Sequence, residues 1–293
     1  MLKEKIITVL RIMFGNRPIE VTKQVNVVEL PSSELAIGRT ALVTGGSSGI
    51  GFAISKALLK AGASVVITGR NLEKIEKACE QLNSYASSSS LVLGVQLDHQ
   101  NVASFNEKFH EILQKIGSRK IDILVNNAGT RESGYCDFGH TDEEQFDKVM
   151  NTNLKGSYFF SQMVAKYMKD NLIHGNILNI ASSSSLRPAN SAYILSKWGL
   201  RGMTLGMAKA LIPYDIVVNG IAPGPTATPM LGLTGKNVHF PQNPSGRVVL
   251  PEEIANMAVI LTSNIGRSVV GDIVYMTGGA GVITLDDAAY NFD

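Results

Sequence analysis

From residue 40 to residue 277 the chain keeps one alternation: a short apolar run, then a longer segment with helical periodicity, then another apolar run. The runs are TALVTG (40–45), SVVITG (64–69), LVLGVQL (91–97), IDILVNNAG (121–129), NILNIAS (176–182), DIVVNGI (215–221) and DIVYMT (272–277). Helical spacing of apolar residues fills 50–62, 71–82, 101–117, 142–171, 191–212 and 251–263, with Gly62 as a stop for the first of these. Because the strand runs are almost continuously apolar, both faces of their sheet must be covered. That requirement selects an α/β fold, a doubly wound parallel sheet with helices on both faces. A chain of 293 residues with 44% hydrophobic content can fill one such core. No repeat or linker interrupts the pattern. The expected organisation is an N-terminal arm (1–38), a single α/β domain (39–282) and a short acidic tail (283–293).

Charge and cysteine usage narrow the class of function. A net charge of +2, with both signs interspersed, offers no field for nucleic acid. Cys79 and Cys136 lie in no CxxC or metal spacing, so reduced thiols and a cytoplasmic location are expected. The histidines His99, His110, His140, His174 and His239 form no ligand cluster, and no metal site is expected. The apolar stretch at the N-terminus is broken by Arg11, is a poor secretory signal and is too short to span a bilayer. Residues 1–14 suit a helix that packs on its own domain or a neighbouring subunit. Membrane association through them is the alternative.

In a doubly wound sheet, ligands bind beyond the carboxyl ends of the strands. The chemistry-bearing motifs fall there. TGGSSGIG (44–51) joins the first strand to the first helix. Gly45 and Gly46 allow a tight turn, and Gly49 and Gly51 leave room for a pyrophosphate at the helix N-terminus. NNAG (126–129) ends the fourth strand, as a plain turn or as a backbone ledge beside a ligand. ILNIASSSS (177–185) ends the fifth strand in serines, one of which can hydrogen-bond a reacting oxygen. In SAYILSKWGL (191–200), Tyr193 and Lys197 lie one helical turn apart on one face. PGPTATPM (223–230) is a proline-rich loop after the sixth strand.

These motifs, in this order, resemble those of the short-chain dehydrogenase/reductase family, the compact single-domain Rossmann type. The resemblance rests on T-G-x-x-x-G-I-G at 44–51, N-N-A-G at 126–129, Asn153, taken as a strand-end residue, Ser182, Y-x-x-x-K at 193–197 and P-G-x-x-x-T at 223–228. It implies a catalytic set of Asn153, Ser182, Tyr193 and Lys197. Tyr193 is the general acid/base, and Lys197 lowers the pKa of its phenol and bonds the nicotinamide ribose. Ser182 holds the substrate oxygen, and Asn153 positions a water that links Lys197 to solvent. The spacing from Ser182 to Tyr193 is shorter than is common in the family, which leaves Ser183 as the alternative. A dinucleotide site is implied from Gly45, Ser47, Ser48, Gly49, Ile50 and Gly51, with Asp98 at the adenine. Asn126, Ala128, Gly129, Pro223, Gly224, Thr226 and Thr228 complete it, with Tyr193 and Lys197.

At the end of the second strand an NAD-preferring site has an acidic residue, which repels a 2′-phosphate. Here Gly69 stands there and Arg70 follows, so NADP(H) is expected over NAD(H). The expected reaction interconverts a small-molecule ketone and a secondary alcohol by hydride transfer. Reduction of a 3-oxoacyl thioester on an acyl carrier protein is the narrower alternative, and a dinucleotide-binding regulatory protein without turnover is the other. Arg131, Glu132 and Tyr135 are expected to wall the substrate side opposite residues 229–248. His239 and Trp198 are read as packing or surface residues. Helices 142–171 and 191–212, with Met163, Met207 and small residues, match those that pair subunits in the family, so a homodimer or homotetramer is expected.

Overall fold

In the computed structural model the described residues are Thr22, Gln24, 34–133, 138–232 and 238–282. The expectations for residues 1–14, for Tyr135 and Cys136, for 233–237 within the stretch 229–248 and for the tail 283–293 lie outside them.

The strands are β1 (Thr40–Thr44), β2 (Ser64–Gly69), β3 (Val92–Gln96), β4 (Ile123–Asn126), β5 (Asn176–Ile180), β6 (Val217–Pro223) and β7 (Ile273–Met276). The helices are α1 (Gly49–Lys60), α2 (Leu72–Asn83), α3 (Phe105–Ile116), α4 (Glu143–Met150), α5 (Ser157–Asp170), α6 (Ala192–Leu211) and α7 (Pro251–Thr262). The strands form one sheet in the order β3-β2-β1-β4-β5-β6-β7, and every pair is parallel. The strand order reverses between β1 and β4, which opens a crevice at their carboxyl ends.

Successive strand residues feed opposite layers, as the period of two requires. Val43, Val65, Ile67, Val125 and Ile180 pack on one face with Ile54 and Leu58 of α1 and Ile254 of α7. Leu42, Val66, Leu124 and Ile177 pack on the other with Phe109 and Ile112 of α3 and Phe160 and Val164 of α5. Local signals mark the helix starts: the side chain of Asn71 accepts the Lys74 N–H at 2.8 Å, and that of Asp142 accepts the Gln145 N–H at 2.7 Å. Part of the expected arm belongs to the domain. The N–H of Ala36 donates to the Ala61 carbonyl at 2.9 Å, and Ala36 is buried. No described helix is long and apolar enough to cross a membrane.

One element differs from expectation. The segment read as a single helix over 142–171 contains a π-helical turn, Asn151–Gly156, between α4 and α5. Asn153 therefore sits in the middle of this helical run and not at a strand end. The wider turn carries it across to the β4 loop, where its side chain bonds Thr130, and to Ser196 of α6. Gly156 closes the turn against His99, whose carbonyl oxygen a Cβ at that position would strike. Such π turns interrupt α-helices mainly where a side chain must be re-aimed.

Candidate active site

The site is assembled where the β1, β4, β5 and β6 loops meet. Thr44, the last residue of β1, ties the first two together. Its Oγ1 accepts the N–H groups of Asn127 and Ala128, both at 3.0 Å, and donates to the Val125 carbonyl at 3.2 Å. The Asn127 side chain returns the link through Nδ2, donating to the carbonyls of Thr44 at 2.9 Å and Gly45 at 3.0 Å. Gly51 serves this contact. A Cβ there would collide with Asn127 and the Gly45 carbonyl, so its missing side chain admits protein and not, as expected, a ligand.

Gly49 has the opposite surroundings. Its φ is +54°, and a Cβ would touch nothing nearer than Thr228 at 3.5 Å. Ser48 caps α1 with extended backbone, yet its side chain makes no capping hydrogen bond. Ser47 and Ile50 flank these two residues and are half-buried. The first N–H groups of α1 thus meet a backbone cradle kept clear of side chains, a donor set that fits a diphosphate.

Asn126 departs from its expected place. Its side chain turns away from the rim into the sheet, where Nδ2 donates to Ser161 Oγ at 2.7 Å and Asn179 Oδ1 at 2.8 Å. Asn127, which the sequence reading passed over, is the residue of the NNAG motif that reaches the glycine turn. Ala128 abuts Gly45, and Gly129 lies beside Asn153 and Lys197. On the other side Gly224 follows Pro223 at the end of β6 and packs on Thr277, leaving no room for a side chain. Thr226 Oγ1 donates to the Gly224 carbonyl at 2.9 Å, and Thr228 lies against Gly49. Asp98, past β3, accepts the Gln100 N–H at 3.0 Å. Arg70 is exposed past β2, its carbonyl held by Gln96 Nε2 at 2.8 Å.

Helix α6 carries Tyr193 and Lys197 to the centre of this rim. Ser182, not Ser183, is the serine that acts on the Tyr193 hydroxyl. Ser182 Oγ also accepts the Ser184 N–H at 3.1 Å, which orients it. Lys197 is only 6% exposed; its Nζ donates to the Ile180 carbonyl at 2.9 Å and lies 5.6 Å from the centre of the Tyr193 ring. Asn153 binds the same helix: Nδ2 donates to Thr130 O at 2.8 Å and to Ser196 Oγ at 3.0 Å, and Oδ1 accepts the Thr130 N–H at 2.7 Å. Both of its side-chain N–H bonds are thereby used as a clamp between the β4 loop and α6.

Burial governs the titration of the pair. It pushes the Tyr193 hydroxyl above its ordinary value of 10.0, against the hydrogen bond from Ser182 and the Arg131 guanidinium, while Glu132 pushes it further up. The expected lowering by Lys197 does not set the direction, because the same burial brings Lys197 down to about 8. Tyr193 is therefore a protonated donor at neutral pH. Trp198 is half-exposed, and its Nε1 donates to the Arg187 carbonyl at 2.8 Å. Met163 packs on the core and not on the outer face of the helices.

Residues 39–238 match the family model for short chain dehydrogenases. The chain is 34% identical over 247 residues to a 3alpha-hydroxysteroid dehydrogenase of Mediterraneibacter gnavus, covering 83% of this chain and 96% of that one. It is 34% identical over 252 residues to a 3-oxoacyl-(acyl-carrier-protein) reductase of Aquifex aeolicus, covering 83% and 97%. A crystal structure of a 3-ketoacyl-(acyl-carrier-protein) reductase from Brucella melitensis, complexed with NADH, superposes with a TM-score of 0.75 at 28% identity, over 84% of this chain and all of that one. The motifs of the sequence, the reversal of strand order and these matches agree: the chain belongs to the short-chain dehydrogenase family.

Proposed function

We propose that the protein is an NADP(H)-dependent oxidoreductase that interconverts a ketone and a secondary alcohol on a small molecule. The observation that carries this reading is Lys197, buried with its Nζ 5.6 Å from the centre of the ring of Tyr193, itself close to Ser182, next to a backbone cradle that suits a dinucleotide diphosphate. The nicotinamide, when bound, supplies or accepts the hydride. In reduction Tyr193 donates its proton to the carbonyl oxygen, and in oxidation it takes the proton from the alcohol. Its raised pKa keeps that proton available for reduction at neutral pH. Ser182 donates a second hydrogen bond to the same oxygen, which orients the substrate. Lys197, near 8, exchanges protons in the working range and restores Tyr193 after each cycle. Asn153 acts as a clamp that holds α6 against the β4 loop.

The preference for NADP(H) rests on Gly69 and Arg70. No carboxylate at this position repels a 2′-phosphate, and the Arg70 guanidinium has no ion-pair partner among the described residues. Reduction of 3-oxoacyl thioesters is the narrower reading, favoured by the relatives that carry that name. The reading extends to a cytoplasmic enzyme, on its cysteine usage, and to a homodimer or homotetramer. The latter rests on an apolar groove between the π turn and α6, lined by Met150, Leu154, Tyr158, Phe159, Met203 and Met207. A panel of ketones, 3-oxoacyl thioesters and secondary alcohols, followed by NADPH consumption or formation, tests the proposal. Absence of turnover with every compound refutes it in favour of a binding protein.

A further inference from the structure

Glu132 lies on the segment leaving β4, 61 residues before Tyr193 in the chain, and its Oε1 accepts the main-chain N–H of Tyr193 at 2.9 Å. Tyr193 is the second residue of α6, so this N–H is one of the donors that the helix itself cannot satisfy. The capping residue Ser191 serves the next N–H, that of Ile194, only at 3.4 Å. The carboxylate is thus the shorter of the two bonds at this helix start, and it fastens the residue that carries the reactive hydroxyl.

We infer that Glu132 is a positioning residue for the reaction: its carboxylate holds the first turn of α6 so that the Tyr193 hydroxyl meets Ser182. The inference rests on the reading of Tyr193 as the acid/base. It replaces the expectation that Glu132 is simply a wall of the substrate pocket.

The charged and polar groups facing the hydroxyl come from each neighbouring element. Arg131 and Glu132 stand on the β4 loop, Ser182 on the β5 loop and Lys197 on α6 itself. Arg131 favours the phenolate and Glu132 opposes it, so two adjacent residues act on one proton with opposite sign. An ordinary helix cap would stabilise α6 without this effect. The two roles therefore separate in a pH profile.

The test uses Glu132→Gln, Glu132→Ala and Arg131→Gln in the full chain, with Tyr193→Phe alongside. NADPH-dependent reduction of ethyl acetoacetate is followed across pH, and exchange of the Tyr193 amide proton is followed by NMR. Glu132→Gln keeps the acceptor and loses the charge. It should retain turnover within a few-fold and move the alkaline limb of kcat to lower pH. Arg131→Gln should move the limb to higher pH. Glu132→Ala should speed exchange of the Tyr193 amide and lower kcat roughly ten- to a hundredfold, with the KM for NADPH unchanged. An unmoved limb in Glu132→Gln, or unaltered kcat in Glu132→Ala, overturns the inference. So does a loss in Glu132→Ala that is matched by lost NADPH binding, which marks a purely structural role. Full activity in Tyr193→Phe refutes the underlying reading instead.

Discussion

His99 makes the protein's stability depend on pH in a way that can be worked out from its surroundings. It follows Asp98 at the end of β3 and is 3% exposed, with ring centroids 5.7 Å from Phe105 and 5.4 Å from Phe160. Neither ring nitrogen has a hydrogen-bond partner among the described residues. Burial in this apolar box lowers its pKa from 6.5 to about 4, and the nearby Asp98 carboxylate offsets only part of the effect. The native state therefore holds His99 neutral at a pH where the unfolded chain already binds the proton. Stability falls as pH drops below 6.5 and the loss is complete near 4. The gap corresponds to about 3 kcal/mol in full, and to about 2 kcal/mol between about pH 7 and about pH 5. His99→Leu fills the box with an apolar side chain and removes the titration. Urea unfolding at the two pH values, with protein concentration fixed, measures both proteins. Carboxylates contribute alike to each and cancel. The wild type should lose about 2 kcal/mol more than His99→Leu on acidification. Equal losses would refute the argument that His99 is buried neutral.

Four further outcomes test the site and its assembly. Tyr193→Phe should retain the fold and dinucleotide binding while losing at least about a hundredfold in turnover, measured at saturating NADPH. Arg70→Ala should raise the KM for NADPH about ten- to a hundredfold and leave that for NADH alone. A Cβ on Gly69 would meet Ile75 and Ser47 only at 3.4 and 3.5 Å, so Gly69→Asp should be accommodated and should turn the preference toward NADH. If the groove beside α6 pairs subunits as proposed, Met203→Glu should leave a monomer by light scattering where the wild type is an oligomer, because it buries a charge without a partner.

Much of the fold was legible because its determinants are local. A strand buried on both faces needs an unbroken apolar run, and 40–45 and 64–69 show it in a few residues. The glycine turn at 44–51 was legible for the same reason, since a left-handed φ at Gly49 is a requirement on one residue. The pairing of Tyr193 with Lys197 follows from helical spacing alone.

The remaining features depend on which distant segments meet. Nothing in NTNLKG announces a π turn. It is tied to the contacts that draw Asn153 to Thr130 and Ser196 and seat Gly156 on His99. Nothing in NNAG says that the first asparagine faces Ser161 and Asn179 while the second reaches the glycine turn; the pleat of β4 and the place of α5 decide it. The sequence favours Ser182 and leaves Ser183 as the alternative, and the approach of α6 selects Ser182. The pKa shifts lie furthest from the sequence. Spacing puts a lysine one turn from a tyrosine and suggests that the charge lowers the phenol. Packing instead removes water from both groups, and desolvation disfavours the charged form of each: Lys197 falls to about 8 and Tyr193 rises. The sequence by itself determined which groups could react; the tertiary structure decided their protonation states and partners, because water exclusion and long-range contacts are properties of the packed molecule alone.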